Sequence, residues 1–188
     1  LLGDENQAIR EGTASFAEIR EVFERACGSI ESCDLMTSYR SSPEITALFT
    51  SLLDDEKRVR VESVQPAGTD PVIIECADDI DYAAQLRAAV EEALEDRCLA
   101  AIIAPDARRM AKLEDMLGGL PIVIPARKEA IPDHGVVLLD IALAKGLEFD
   151  QVIVPDVQQR SYPDETLARH RLYTAISRAT RKVTLIAN

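Results

Sequence analysis

The sequence predicts an α/β fold in which a parallel sheet is covered by helices on both faces. Short, continuously apolar runs, which are typical of strands buried on both faces, recur along the chain. Segments with the apolar spacing of amphipathic helices lie between these runs. Alternation of this kind is typical of parallel α/β sheets, and 188 residues are enough for one such domain with a proper core.

Four elements are predicted before position 70. They are a helix over 16–26, a short strand at 35–37, a helix over 43–53 and a short strand at 59–61. Ser42 is suited to cap the second helix, and Pro43 is suited to its first turn. A loop rich in proline and glycine follows at 66–71.

The rest of the chain predicts strands alternating with helices. The predicted strands are 72–76, 99–104, 121–124, 136–140, 151–154 and 183–186. The predicted helices run from Asp78 or Asp79 to 94, from Asp106 to 117, and over 163–178. An aspartate at the start of a helix is a common N-cap, and Gly118-Gly119 is a stop signal for the second of these helices.

Composition limits the kinds of protein that this chain can be. A domain that binds nucleic acid by itself usually carries a basic surface, whereas this chain has a net charge of −12. Any contact with nucleic acid is therefore local or shared with other domains. No apolar run reaches the ~18 residues of a membrane span, and we expect a cytoplasmic protein. The cysteines form no C-x-x-C pair, which argues against a zinc site and favours reduced thiols; they are Cys27, Cys33, Cys76 and Cys98.

Four sequence blocks occur in an order that resembles a known family. They are residues 2–7, 38–43, 144–150 and 171–180, and they include Gln7, Tyr39-Arg40, Gly146-Leu147-Glu148 and Ser177-Arg178-Ala179. In this order they resemble motifs III, IV, V and VI of the UvrD/Rep/PcrA-type superfamily 1 helicases. The resemblance implies a RecA-like domain over 1–188, the second (2A) motor domain, with its motifs at 1–9, 38–43, 140–150 and 171–180. Such sheets bind ligands at strand ends, where the motifs are expected.

The resemblance implies catalytic roles for three residues. Arg178 matches the arginine that reaches the γ-phosphate of ATP, where a guanidinium stabilises the charge of the transition state. The competing interpretation is a cation at a helix C-terminus. Arg40 matches a second arginine that touches the phosphates, and Gln7 matches the glutamine that senses the γ-phosphate. The alternative for Gln7 is an exposed polar turn.

Three further residues match positions that hold the nucleotide. Tyr39 matches the tyrosine that stacks on the adenine; the alternative is a tyrosine packed on the core. Glu148 matches the glutamate that accepts hydrogen bonds from the ribose. Gly146 would allow a close approach of the backbone or a positive φ, and the alternative is a simple loop.

The resemblance also implies cofactors and partners. ATP with Mg²⁺ is expected, but nothing in the chain resembles a Walker A or Walker B element. We therefore expect the chain to be a fragment, inactive alone, that completes the ATP site of an N-terminal RecA-like domain of the same protein. Single-stranded DNA is the expected substrate, bound weakly by this domain, and no metal ligands are assigned.

Departures from the Rep-like pattern leave alternatives open. Arg10 and Gly12 stand where those helicases carry an aromatic pair that stacks on bases, and the chain has no tryptophan. Asp140 and Ala142 stand where motif V carries a threonine and a histidine, and an aspartate facing a phosphate is repulsive. Rep and PcrA carry an inserted subdomain between motifs IV and V, for which residues 72–124 leave no room. One alternative is therefore a motor similar to the HelD-type factors, which act on RNA polymerase and also lack this insert. The other is an interaction domain without catalysis.

Overall fold

The computed structural model describes residues 3–31, 33, 35, 37–53 and 61–188. Its strands are β1 (Thr37–Ser38), β2 (Glu62–Ser63), β3 (Val72–Glu75), β4 (Leu99–Ala104), β5 (Ile122–Val123), β6 (Gly135–Asp140), β7 (Phe149–Val154) and β8 (Ala179–Ala187). Its α-helices are α1 (Phe16–Cys27), α2 (Pro43–Ser51), α3 (Asp79–Glu95), α4 (Ala107–Met116), α5 (Ile141–Ala144) and α6 (Thr166–Ile176). The described residues also form 3-10 helices at Glu5–Gln7 and Lys128–Ala130.

Strands β3 to β8 form one sheet, in which the strand order is β3-β8-β7-β4-β6-β5. Every pair of neighbouring strands is parallel. Helices α3 and α4 contribute to the hydrophobic cluster on one face of the sheet, and α2, α5 and α6 contribute to the cluster on the other. This arrangement confirms the predicted fold class.

The central strands are the least accessible part of the molecule. Residues 100–104 of β4 and 136–139 of β6 are fully buried, which is why both strands are continuously apolar rather than alternating. Ala101 and Ile103 face the cluster that includes α2 and α6, while Ala100 and Ile102 face the cluster that includes α3 and α4. The apolar runs therefore predicted the centre of the sheet correctly.

The predicted helix starts are confirmed by their capping bonds. The Asp78 carboxylate accepts hydrogen bonds from the backbone N–H groups of Ile80 and Asp81, each at 2.9 Å. The Asp106 carboxylate accepts one from Arg109 at 2.7 Å, and the Ser42 hydroxyl accepts a longer one from Ile45 at 3.5 Å. A side-chain acceptor at these positions satisfies backbone donors that the helix itself leaves unpaired.

Several predicted boundaries are wrong. The strand predicted at 35–37 lies at Thr37–Ser38, and the one predicted at 59–61 is found at Glu62–Ser63, with 59–60 outside the described residues. These two strands pair with each other in a separate parallel sheet, and their polar residues give no apolar signal. The last helix is Thr166–Ile176 rather than 163–178, and the last strand begins at Ala179 rather than 183.

Helix α5 was not predicted, because its four residues carry too short a pattern. Helix α1 confirms its prediction and begins at a capping box formed by Ser15 and Glu18, yet none of its residues is buried. In the part of the chain that the structure describes, no helix has the length and apolar character needed to cross a membrane.

Candidate functional site

Three segments distant in sequence converge on the side chain of Arg178, which is 1% exposed. Its Nε donates to the carbonyl of Thr174 at 3.1 Å, and its Nη1 donates to the carbonyl of Leu147 at 3.3 Å. Its Nη2 donates to Oε1 of Gln7 at 3.1 Å and to the Ser177 hydroxyl at 3.0 Å. Arg178 thus joins the blocks assigned to motifs III, V and VI. Its bond to Thr174 also places a cation at the C-terminus of α6, as the competing interpretation expects.

The environment of Arg178 is unfavourable for a cation. Burial, and then the positive charge of Arg40, lower the pKa of Arg178 to about 10, with Glu148 acting in the opposite direction. The guanidinium therefore stays charged at neutral pH. Among the described residues its hydrogen-bond partners are all neutral, and no carboxylate lies within ion-pair distance of it. A buried cation without an anionic partner favours the arrival of an anion.

Arg40 and Glu148 form an ion pair beside Arg178. Arg40 Nε lies 2.5 Å from Glu148 Oε1, although the two residues are 108 positions apart in sequence. Both side chains remain accessible, at 38% and 52% exposure. The pair is therefore open to exchange with solvent or with a ligand, because exposed ion pairs are worth only about 0–1 kcal/mol.

Two serines fix the segment that carries Arg40. The Ser41 hydroxyl donates to the carbonyl of Ala179 at 2.6 Å, and it is buried. The backbone N–H of Ser42 donates to the carbonyl of Thr180 at 3.2 Å. Both acceptors belong to the first residues of β8, directly after Arg178. The block assigned to motif IV is thus attached to the block assigned to motif VI.

Gln7 lies inside the cluster rather than in an exposed turn. Its Nε2 donates to the Asp4 carboxylate at 2.8 Å, which leaves Oε1 directed to Arg178. Its backbone carbonyl accepts a hydrogen bond from Lys145 Nζ at 2.9 Å. Gln7 therefore contacts Arg178 with its side chain and Lys145 with its main chain.

Gly146 lies in the turn that presents Leu147 and Glu148 to the two arginines. Its φ of 84° is in the left-handed region, which glycine adopts without steric cost. A Cβ atom at this position would lie 3.4 Å from Nζ of Lys128, whose ammonium donates to the carbonyl of Lys145. Sequence reasoning missed Lys128, because it belongs to no motif and stands outside every predicted helix and strand.

Tyr39 is the candidate residue that stays apart from the cluster. Its side chain is strongly exposed, at 73%, so the alternative of a tyrosine packed on the core is wrong. Its backbone carbonyl accepts a hydrogen bond from Gln65 Nε2, which holds the main chain while the ring faces solvent.

The cluster forms at the amino ends of two neighbouring strands. Glu148 immediately precedes β7, and Arg178 immediately precedes β8. Open parallel sheets usually bind ligands beyond the carboxyl ends of their strands, so the expectation taken from that rule is corrected here. The physical reason is that Arg178 follows the last turn of α6, and this helix ends where β8 starts.

Comparison with known proteins agrees with this arrangement. Residues 135–186 match a family model described as the UvrD-like helicase C-terminal domain. The match spans β6 to β8 and thus includes Glu148 and Arg178, and it confirms the family predicted from the motifs.

One solved structure extends the similarity beyond the matched segment. The chain is similar over 80% of its length to the C-terminal domain of a possible DNA helicase from Lactobacillus plantarum WCFS1, with 27% identity, 87% of that chain covered and a TM-score of 0.66. A structure of S. tokodaii Xpd4 matches with 11% identity over 67% of this chain and 36% of that chain, at a TM-score of 0.38. A search of curated proteins found none that matches.

One departure from the Rep-like pattern, Asp140, has a structural explanation. The carboxylate of Asp140 accepts a hydrogen bond from the backbone N–H of Leu143 at 2.8 Å and caps α5. The negative charge of Asp140 is therefore used at a helix N-terminus. Ala142 instead lines a small cavity of about 200 Å³ together with Ile9, Arg10, Thr13 and Lys145.

Metal-ligating side chains are not grouped in the part of the chain that the structure describes. Across 3–31, 33, 35, 37–53 and 61–188, no three His, Cys, Asp or Glu residues are arranged to hold a metal ion. The described cysteines are free, and Cys27 and Cys33 are exposed.

Proposed function

We propose that this UvrD-like domain is the C-terminal motor domain of an ATP-dependent DNA helicase or translocase. In this proposal it completes an ATP site whose phosphate-binding loop and Mg²⁺ ligands belong to an N-terminal domain. The observation that carries the proposal is the buried, charged Arg178. Its hydrogen-bond partners among the described residues are all neutral, and its pKa is lowered by burial and then by the neighbouring Arg40. Phosphoryl transfer develops charge on the γ-phosphoryl oxygens, and a preorganised guanidinium stabilises that charge.

The ion pair beside Arg178 is suited to a nucleotide. Arg40 is accessible enough to leave Glu148 and turn to phosphate oxygens, with which a guanidinium also forms charge-assisted, frequently bidentate hydrogen bonds. Glu148 would then be free to accept hydrogen bonds from ribose hydroxyls. The exposed ring of Tyr39 offers a face for adenine, and such stacking contributes about 1–3 kcal/mol per base.

Gln7 connects this site to a second surface. Its side chain contacts Arg178 and its carbonyl contacts Lys145, which lines the cavity next to Arg10. A change in the hydrogen bonding of Arg178 would reach Lys145 through one residue. In the proposed motor, this contact would link the nucleotide to the surface that meets the nucleic acid.

The decisive experiment measures ATP hydrolysis by the full-length protein, with and without single-stranded DNA, for the wild type and for Arg178→Ala. We expect activity that DNA raises and that the substitution removes. Activity that responds to the substitution but not to DNA would support a motor directed at a protein. Activity that Arg178→Ala leaves unchanged would overturn the assignment of the site.

The cavity beside Lys145 is the surface that we assign to nucleic acid. In a domain with a net charge of −12 such a contact has to be local. Arg10 is exposed, and in the described part of the chain its guanidinium has no hydrogen bond or ion pair. Thr13 donates to the carbonyl of Arg10 at 2.8 Å and closes the turn that carries it. Because residues 8–13 contain no aromatic side chain, we propose that this surface contacts phosphates and does not stack on bases.

Arg10→Ala should weaken the binding of single-stranded DNA by the full-length protein about three- to tenfold. Because one phosphate contact is lost, the negative slope of log K against log salt should also become shallower by roughly 0.7. Fluorescence anisotropy at several salt concentrations measures both quantities. Arg108→Ala is the matched control, because Arg108 is an exposed arginine at the start of α4, which packs on the other face of the sheet. Equal losses in the two variants would contradict the proposed contact.

A protein-directed motor, similar to the HelD-type factors, is the second candidate. It is favoured by the net charge of −12 and by the absence of aromatic residues at 8–13. This candidate predicts ATP hydrolysis that DNA stimulates weakly, together with co-purification with RNA polymerase.

A further inference from the structure

The turn formed by residues 145–148 is the point at which the separate parts of the site meet. The carbonyl of Leu147 accepts a hydrogen bond from Arg178, and the carboxylate of Glu148 pairs with Arg40. The ammonium of Lys145 donates to the carbonyl of Gln7. The position of this turn therefore determines whether both arginines and Gln7 keep their partners.

Local hydrogen bonds alone fix this turn weakly. Its backbone makes one bond from Lys145 N to Ile141 O at 3.2 Å and one from Leu147 N to Ala144 O at 3.0 Å. Both acceptors lie in α5, which is a single helical turn of four residues. Short helices are marginal without other contacts, so a further constraint is needed to hold the turn in one place.

Lys128 supplies such a constraint from another part of the chain. Its ammonium donates to the carbonyl of Lys145, 17 residues away in sequence, and lies next to Gly146. The turn accommodates it because Gly146 has no side chain. A charged donor makes a stronger hydrogen bond to a carbonyl than a neutral donor does.

The main chain of Lys128 is itself anchored. Lys128 begins a 3-10 helix whose closing bond runs from Ile131 N to Lys128 O at 3.2 Å. Ile131 packs against the hydrophobic cluster that also contains Phe149 and Ile176, on the face of the sheet that carries the site. The lysine stem therefore extends from a fixed base, and the position of its ammonium is defined.

We propose that Lys128 is a positioning residue of the nucleotide site. Its ammonium holds the turn at 145–148 so that the carbonyl of Leu147 meets Arg178 and the carboxylate of Glu148 meets Arg40. This inference rests on the proposed ATP site, but its structural part is testable without ATP. Lys128 touches no reacting atom and acts only through the turn.

The test compares Lys128→Met, Lys128→Arg and the wild type in the full-length protein. Hydrogen exchange is measured at the amides of Lys145, Leu147 and Phe149, and KM and kcat for ATP are measured separately. In Lys128→Met we expect exchange at these amides to be faster by roughly three- to tenfold, the effect of about one hydrogen bond. We expect KM for ATP to rise by a similar factor, and Lys128→Arg to restore both values. Lys112→Met is the control, since Lys112 is an exposed lysine of α4, on the other face of the sheet.

The outcomes separate this inference from the proposed function. Faster exchange with an unchanged KM, or unchanged exchange, would overturn the positioning role of Lys128. The same change in exchange and KM in Lys112→Met would also overturn it. A failure of the proposed function appears elsewhere, as ATP hydrolysis that Arg178→Ala does not alter, and the exchange measurement remains interpretable in that case.

Discussion

Replacing Arg178 by lysine in the full-length protein should lower kcat for ATP hydrolysis by about 10³-fold, nearly as much as replacement by alanine. The guanidinium makes four hydrogen bonds, to Thr174, Leu147, Gln7 and Ser177. An ammonium is a single point with three donors and cannot reproduce this fork. Lysine would keep the charge but lose the orientation that directs it to a phosphate.

Steady-state ATP hydrolysis at saturating DNA measures this effect, and a thermal melt of each variant checks that the domain remains folded. The matched control is Arg171→Lys on the same helix, where the arginine Nε makes one hydrogen bond to the carbonyl of Ile9 at 3.1 Å. We expect that control to lose less than about tenfold, in line with one hydrogen bond. A folded Arg178→Lys variant that keeps more than a tenth of the wild-type kcat would contradict the role of Arg178.

Replacing Arg109 by alanine should lower the free energy of unfolding of this domain by about 3–5 kcal/mol. Arg109 forms a two-bond pair with Asp156, in which Nε lies 2.5 Å from Oδ2 and Nη2 lies 2.7 Å from Oδ1. Asp156 is 1% exposed, so the substitution would leave a buried carboxylate without its cationic partner. The guanidinium also lies 5.6 Å from the ring centroid of Tyr82 and would no longer pack over it.

Urea denaturation measures this loss, and the dependence on urea should keep its slope because the folded state stays compact. The control Arg108→Ala changes an exposed neighbour and should cost less than about 0.5 kcal/mol. The double variant Arg109→Ala with Asp156→Asn should recover part of the loss, because the buried charge is removed as well. A cost below about 1 kcal/mol for Arg109→Ala would show that the pair contributes little.

The sequence predicted the interior of the fold better than its margins. Strand β4 was predicted at its observed bounds, because full burial requires a continuous apolar run. Strand β8 begins four residues earlier than the predicted start at 183, because residues 180–182 are polar and only partly covered. Strands β1 and β2 pair with each other outside the main sheet, where burial imposes no apolar pattern.

The residues of the candidate site were likewise predicted only in part. The ordered blocks predicted Gln7, Arg40, Glu148 and Arg178 as candidates, and the fold brings these four together, while their roles remain predictions. Lys128 carried no signal, because a lysine that acts through one contact made across a loop forms no pattern in sequence. The pair of Arg109 and Asp156 was equally invisible: it joins positions 47 apart, and Asp156 adopts a φ of 59° that aspartate tolerates.

The contacts of the first residues of the chain have a consequence for the order of folding. Gln7 pairs with Arg178 across 171 positions and with Lys145 across 138, and Ile9 pairs with Arg171 across 162. Closing loops of this length is entropically costly until the distant partner is already in place. Gln7 and Ile9 therefore gain these contacts only when α6 and the turn before β7 have formed, so the site is completed late in folding.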